Sequence, residues 1–338
     1  MDTNLRPLTL GEILDRTAQL YRSNFLLFAG IAAVYAGALL ALNLMQIGLQ
    51  ELLQAEHMMR QLVWLTRSAT GVSLLLAFIF AGAAVAANNR AVGWLHLGQP
   101  ATIRGAYSGI LPRLGRYLWL MTITAIVVWL PIVLLYVAYF ATVLHFNQTA
   151  GGAGRSGAAA GNQSMLIFGV ATAIFLVLLI PIGIYTILMG LRYALAVPAC
   201  VVEDIKARKA IRRSIELSKG SRGRIFLLGL LVISIQIGLL LVTQTAFFVV
   251  GFRNHGVLSF GVSVLQQLVA FCTNTFVGPI YATGLTLFYY DQRMRKEGYD
   301  IERMMEAAGM VPPRTDAALT GTELAAPPAG GLPRAEAE

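Results

Sequence analysis

The side chains with the most evident chemistry in this sequence are six basic residues in one short segment. The segment 203–219 reads as an amphipathic helix with two acids at its start and Gly220 after its end. Such a helix could hold anionic phospholipid headgroups, because each Lys or Arg near an anionic surface contributes about 1 kcal/mol. The basic residues of this helix could equally serve only to fix the orientation of the protein in the membrane. The candidate headgroup contacts are Lys206, Arg208, Lys209, Arg212, Arg213 and Lys219.

Amide and hydroxyl side chains in the last two apolar segments form a second candidate set. Ser263, Gln267, Asn274 and Tyr281 follow one another at helical spacing, which places them on one face, and Gln236 lies in the preceding segment. They could line a polar cavity for a substrate. They could also make hydrogen bonds between helices, worth about 0.6 kcal/mol each in membranes. We favour the hydrogen bonds, because amides commonly join helices in this way.

Catalytic and metal chemistry finds little support. No carboxylate occurs between Glu56 and Glu203, and the sequence has only two cysteines, too few for a zinc site or a disulfide framework. The four histidines are isolated, and none has a carboxylate or a second histidine at ligand spacing. We therefore predict a protein that is not an enzyme and holds no cofactor or metal. The histidines are His57, His96, His145 and His255.

The composition indicates what must position these residues. Of 338 residues, 57% are hydrophobic and 13% are charged, where a soluble domain has about 25% charged residues. Six apolar runs are long enough to cross about 30 Å of hydrocarbon. The prediction is an all-α polytopic membrane protein. Its six transmembrane helices are expected at 25–49, 69–87, 117–144, 165–190, 225–250 and 261–290.

The basic residues are distributed unevenly between the two sides of these spans. Of the 26 Lys and Arg, 22 lie in the N-terminal segment, in the second and fourth connections, or in the tail. Because basic connections stay in the cytoplasm, both termini are predicted to be cytoplasmic. The net charge of +9 then faces the anionic inner leaflet. Nucleic acid is not expected as a partner, since the charges sit in short islands between apolar runs.

The cytoplasmic segments share a pattern. In 1–24, Thr9 and Glu12 predict a capping box that begins an amphipathic helix. Residues 16–22 align without gaps with 213–219, and residues 112–117 occupy the same place before the third span. We infer a threefold repeat of surface helix and helical hairpin. After the membrane domain, 25–290, the sequence predicts a charged helical segment at 291–311 and a disordered tail at 312–338.

Three stretches carry a family resemblance. They are 5–25 with the motif Leu-Arg-Pro-Leu-Thr-Leu-Gly-Glu-Ile-Leu-Asp-Arg, 288–302 after the last span, and 202–220 with Val-Glu-Asp and Ser-Lys-Gly. Over about residues 5–306 the chain resembles a bacterial six-span family labelled the glycerophosphoryl diester phosphodiesterase membrane domain. The resemblance implies the bacterial cytoplasmic, or inner, membrane as the location.

The resemblance does not imply the hydrolase. Phosphodiesterases of that class carry their chemistry in a separate barrel of typically about 250 residues, with a His-Arg-Gly motif. None of the four histidines here precedes Arg-Gly. The expected function is that of a non-enzymatic membrane scaffold or partner of envelope components that binds anionic phospholipid, with other membrane proteins as further partners. The alternative is a permease or exporter of a small amphiphilic or lipid-like molecule.

Overall fold

The computed structural model describes residues 9–55, 59–156, 158–253 and 259–298, and this part of the chain is helical, without a strand. A short 3-10 turn at Leu111–Arg113 leads into the fifth helix. The helices are α1 (Leu10–Ser23), α2 (Phe25–Ala55), α3 (Met59–His96), α4 (Ile103–Ile110), α5 (Leu114–Ser156), α6 (Ala158–Tyr193), α7 (Ala196–Val202), α8 (Ala207–Ser218), α9 (Arg222–Arg253) and α10 (Phe260–Glu297).

Six of these helices, α2, α3, α5, α6, α9 and α10, are long and apolar enough to cross a membrane. This confirms the predicted all-α polytopic fold. The helices extend beyond the predicted spans. At a rise of 1.5 Å per residue, the 43 residues of α5 measure about 65 Å, roughly twice the hydrocarbon thickness. The predicted spans were bounded by the apolar residues alone, whereas each helix also continues through the polar residues on either side of its span.

The spanning helices pack partly as sequential hairpins. The pairs α2–α3 and α5–α6 have extensive contacts along their lengths. Helix α10 contacts α2 more extensively than it contacts its own hairpin partner, α9. The third hairpin is therefore the most open of the three, and α10 joins the first hairpin instead.

The hydrophobic core lies at one end of the bundle. Its members come from the starts of α2, α5 and α9 and from the ends of α3 and α10, together with α1, α4, α7 and α8. We call this region the packed end. It contains the segments that the sequence predicts to be cytoplasmic. In the opposite halves large apolar side chains are exposed, for example Val137, Leu166 and Val242. Such surfaces suit contact with lipid chains.

The N-terminal helix begins as predicted. The Thr9 hydroxyl accepts from the Glu12 amide, and the Glu12 carboxylate accepts from the Thr9 amide at 2.7 Å. Tyr21, near the end of α1, donates a hydrogen bond to the carbonyl of Phe276 in α10 at 2.6 Å, and its ring stacks on Phe28. The Tyr21 hydroxyl is protonated at neutral pH, and burial raises its pKa further above the ordinary value. Residues 1–8 lie outside the described residues.

Two element boundaries differ from the predictions. Residues 291–297 form the last turns of α10, which ends before Gly298, and Asp291 is buried there with Arg224 and Arg295 as ion-pair partners. The basic helix starts at Ala207, because Asp204 adopts a positive φ of 53° and breaks the helix before it. The remainder of the charged segment, from 299, and the tail 312–338 lie outside the described residues.

Candidate functional site

Helix α8 carries the basic residues that the sequence singles out, and it lies at the packed end. Its inner face is buried through Ala207, Ala210, Ser214 and Leu217. The Ser214 hydroxyl donates to the carbonyl of Arg192 in the last turn of α6 at 2.9 Å. The opposite face is exposed and makes no ion pair within the described part of the chain. Its basic members, with the N-cap and C-cap residues, are Lys206, Arg208, Lys209, Arg212 and Lys219.

Arg213 differs from these five residues because it points into the protein. Its Nε atom lies 2.9 Å from the Glu203 carboxylate, and its Nη1 atom pairs with Glu297 at the end of α10. Partial burial disfavours the charged guanidinium, but the hydrogen bonds and charges of the two carboxylates outweigh it and raise the pKa of Arg213. Arg213 therefore joins α8 to α10.

The C-terminal end of α8 is held by Lys296 of α10. Its ammonium group donates to the carbonyl oxygens of Glu216, Leu217 and Lys219 at 2.7 to 3.1 Å. These carbonyls belong to the last turn and the C-cap, at the negative end of the helix dipole, and the Glu216 carbonyl also accepts from the Lys219 amide at 3.4 Å. The contacts of the inner face, of Arg213 and of this end fix the side of α8 that points outward.

Glu203 and Asp204 precede α8 and accept several basic groups each. Asp204 pairs with both Arg113 and Arg116, which flank the start of α5. Glu203 receives Arg213 and also the Tyr289 hydroxyl. The sequence interpretation gave these acids a local role at the helix start. The sequence did hold a sign of these ion pairs. Carboxylates are scarce in it, so each one is expected to pair with several arginines.

Asp291 is a third acidic centre that the sequence interpretation missed. Its side chain is fully buried, at 0% exposure, within α10. It lies 2.9 Å from Arg295 one turn along the helix and 3.6 Å from Arg224 at the start of α9. The pair with Arg224 joins the two helices of the most open hairpin.

The predicted polar set falls into separate environments. The Gln267 side chain accepts from Asn43 of α2 at 3.1 Å, an interhelical hydrogen bond. Asn274 is exposed and donates to the carbonyl of Ala270 in its own helix at 2.9 Å.

The other three members lie elsewhere. Tyr281 lies beside Gly229 of α9, where a Cβ atom would be 3.8 Å from its ring. Ser263 is half-buried near the start of α10, and Gln236 is exposed on α9. The five side chains therefore do not meet at one place.

Further polar bridges connect α3 with α10 within the packed end. Asn88 donates to the Thr283 hydroxyl at 3.3 Å, and Thr286 donates to the Asn89 side chain at 2.9 Å. All four residues are buried. The sequence indicates these bridges through the run of two asparagines and Arg90 at the end of the second apolar segment. Polar residues so close to a membrane span need hydrogen-bond partners.

Among the described residues, no three His, Cys, Asp or Glu side chains come together as metal ligands. His96 stacks on Tyr290, with ring centroids 4.4 Å apart. Comparisons with protein-family models, curated proteins and solved structures give no match. The family resemblance therefore stays a prediction from the motifs.

Proposed function

We propose that this multi-pass membrane protein is a non-catalytic scaffold of the bacterial cytoplasmic membrane that binds anionic phospholipid headgroups through α8. The observation that carries the proposal is the exposed basic face of a helix whose other face is anchored in the protein. Such a helix presents its charges at a fixed position instead of on a mobile loop. In this proposal the packed end faces the cytoplasm.

The energetics agree with a stable but reversible attachment of lipid. Each of the five exposed basic residues would contribute about 1 kcal/mol at an anionic surface. Glu216 lies on the exposed side as well and reduces the attraction. Because the charges are exposed, their effect would decline at high salt, where the screening length shortens to a few ångströms. The preference for anionic lipid is thus a salt-dependent property.

Transport of an amphiphile is the alternative, and it would require a polar path through the spans. Gln267 is instead bonded to Asn43, and Gln266 donates to Gln244 of α9 at 3.3 Å. These contacts are of the kind that joins helices. They support the scaffold over the carrier.

The role of α8 predicts a loss of lipid selectivity in a charge variant. Replacing Arg208, Lys209 and Arg212 together by Gln should reduce the preference for phosphatidylglycerol over phosphatidylcholine by at least about fivefold, the factor that corresponds to losing one of the three contributions of about 1 kcal/mol. The measurement is the association of spin-labelled lipids with the full-length protein in proteoliposomes at low salt.

A matched variant controls for net charge. Replacing Arg16, Arg22 and Arg104 by Gln removes three charges from the packed end outside α8. We expect the lipid preference to change little in this variant. Equal losses in both variants, or no loss in either, would contradict a specific role for α8.

The proposed orientation predicts which positions are accessible from outside the cell. In a background with Cys200 and Cys272 replaced by Ala, single cysteines are placed at Arg155 and at Arg208. A membrane-impermeant maleimide added to intact cells should label position 155 and leave position 208 unlabelled until the membrane is permeabilised. Labelling in the reverse order would place the packed end outside and remove the inner leaflet as the partner of α8.

A further inference from the structure

Arg90, in the last turns of α3, is a buried cation, and two of its three guanidinium nitrogens have no hydrogen-bond partner among the described residues. The residue is only 6% exposed. Its Nε and Nη1 atoms are buried and have no hydrogen-bond partner in the part of the chain that the structure describes. The guanidinium lies 5.2 Å from the Trp94 ring centroid and close against Gly109 of α4, where a Cβ atom would be 2.7 Å from Nε.

Two further hydrogen-bond donors near Arg90 are also buried and unsatisfied. The Tyr117 hydroxyl and the Nε atom of Arg116 are buried and without partners among the described residues. The Arg116 guanidinium lies 5.3 Å from the centroid of the Tyr117 ring, and the hydroxyl of that ring lies near both Arg90 and Arg116 without the geometry of a hydrogen bond to either. Unsatisfied donors from α3 and α5 thus occur together at one corner of the packed end.

The charges at this corner do not balance. Arg90, Arg113 and Arg116 bring three positive charges, and Asp204 is the carboxylate that faces them in the described part of the chain. Its oxygens already receive Arg113 and Arg116. Burying a guanidinium without a counter-charge is costly, so native proteins rarely do so without a ligand or ion. Stacking on Trp94 does not compensate, because it engages the face of the guanidinium and not its N–H groups.

We propose that Arg90, Arg113, Arg116 and Tyr117 form a binding site for a phosphate oxyanion. A tetrahedral phosphate accepts hydrogen bonds from several directions, which suits donors on two different helices, and arginine pairs with it in a bidentate manner. Its negative charge would offset the excess of positive charge at this corner.

The position of the site indicates how a phosphate would enter. Exposure rises from 6% at Arg90 to 23% for the Arg116 side chain and 35% for Arg113. The arginines therefore lead from the surface to the buried donors. The phosphate can belong to a lipid headgroup, since the site lies at the ends of spanning helices, or to a soluble phosphate compound. The site shares no residue with the exposed face of α8, and the inference does not depend on the function proposed for that helix.

Thermal unfolding of the full-length protein in a non-ionic detergent tests the site, because a ligand that binds only the folded state raises the midpoint. The probes are inorganic phosphate, with chloride at equal ionic strength as reference, and short-chain phosphatidylglycerol, with short-chain phosphatidylcholine as reference. A rise with inorganic phosphate shows that a soluble phosphate is sufficient. A rise with phosphatidylglycerol alone identifies the lipid headgroup as the ligand.

The variant Arg90→Met distinguishes a binding role from a structural one. We expect it to abolish the rise caused by phosphate or phosphatidylglycerol, with at least about a tenfold loss in apparent affinity. Without ligand its midpoint should equal or exceed that of the wild type, since an apolar chain replaces a buried unpaired charge. The matched control Arg104→Gln removes an exposed charge from the neighbouring α4 and should keep the response.

A second variant keeps the test valid if Arg90→Met does not fold. Tyr117→Phe removes the unsatisfied hydroxyl but retains the ring beneath Arg116, and we expect it to weaken the apparent affinity by about threefold. The proposal is overturned if neither probe stabilises the wild type. It is also overturned if the folded variants respond to phosphate and to phosphatidylglycerol as the wild type does.

Discussion

Replacing Asp291 by alanine is expected to lower the free energy of unfolding by about 3 kcal/mol. The carboxylate is fully buried, and its removal leaves Arg224 and Arg295 without their shared acid. Losing one partner of a buried ion pair is far more costly than losing a surface pair. The value is placed at the lower end of the usual range because the two arginine side chains are about one third exposed and can turn toward water.

The destabilisation should be concentrated at the start of α9. This helix packs less extensively on α10 than α2 does, and the contact of Arg224 with Asp291 adds to the burial of Ile225 and Leu228 in attaching it at the packed end. Hydrogen exchange of the full-length protein in micelles should show faster exchange in residues 222–230 of the variant. Chemical unfolding measures the change in global stability.

The control for this variant is Asp15→Ala. Asp15 is an exposed acid on α1, so the substitution removes the same charge without emptying a buried site. We expect its effect on stability to be within about 0.5 kcal/mol. An Asp291 variant that unfolds like the Asp15 variant would show that the buried carboxylate does not hold α9.

The spanning helices could be predicted because their cause is local. A run such as 165–190 has no other stable location than a membrane, and length and hydropathy alone identify it. The capping box of Thr9 and Glu12 is likewise encoded within four residues. Predictions succeeded where the physical cause lies within one segment of the sequence.

The ion pairs of the packed end could not be predicted in the same way. Asp204 meets Arg116 across 88 positions of the chain, and Tyr289 meets Glu203 across 86. No periodicity or spacing encodes such partners, because they depend on how the helices pack. The sequence interpretation placed Arg213 with the lipid-facing residues for this reason, whereas only its tertiary contacts reveal that it faces Glu203 and Glu297.

These pairs also explain how a chain so poor in acids builds a polar core at one end. Glu203, Asp204 and Asp291 each serve at least two basic partners, and the partners of Glu203 and of Asp291 come from different helices. Each carboxylate thereby acts as a junction between elements. Removing one should affect several helices, and the consequence depends on whether an anion can take its place.

Replacing Asp204 by asparagine is expected to produce two opposite effects. Asparagine tolerates the positive φ of this position, so the backbone can remain as it is. Without the carboxylate, Arg113 and Arg116 lose their partner, and the unliganded protein should lose about 2 kcal/mol of stability, an intermediate value for partly exposed pairs. The midpoint of thermal unfolding measures this first effect.

The second effect is a stronger response to phosphate. The Asp204 carboxylate pairs with two arginines of the site and so repels an anion bound there; two like charges about 8 Å apart repel each other by about 2 kcal/mol at an effective dielectric constant of about 20. Removing that repulsion, and freeing two arginines, should increase the apparent affinity by about tenfold or more. The concentration of phosphate, or of phosphatidylglycerol, that gives half of the maximal stabilisation provides the measurement.

Glu203→Gln is the matched control, because the neighbouring acid binds Arg213 and the Tyr289 hydroxyl rather than the arginines of the phosphate site. It should lower stability without strengthening the response to phosphate. Adding Arg90→Met to Asp204→Asn should remove the response, since the buried cation is then absent. If Asp204→Asn only destabilises the protein and leaves the phosphate response unchanged, the excess positive charge around Arg90 has no ligand to attract, and the corner is a structural contact.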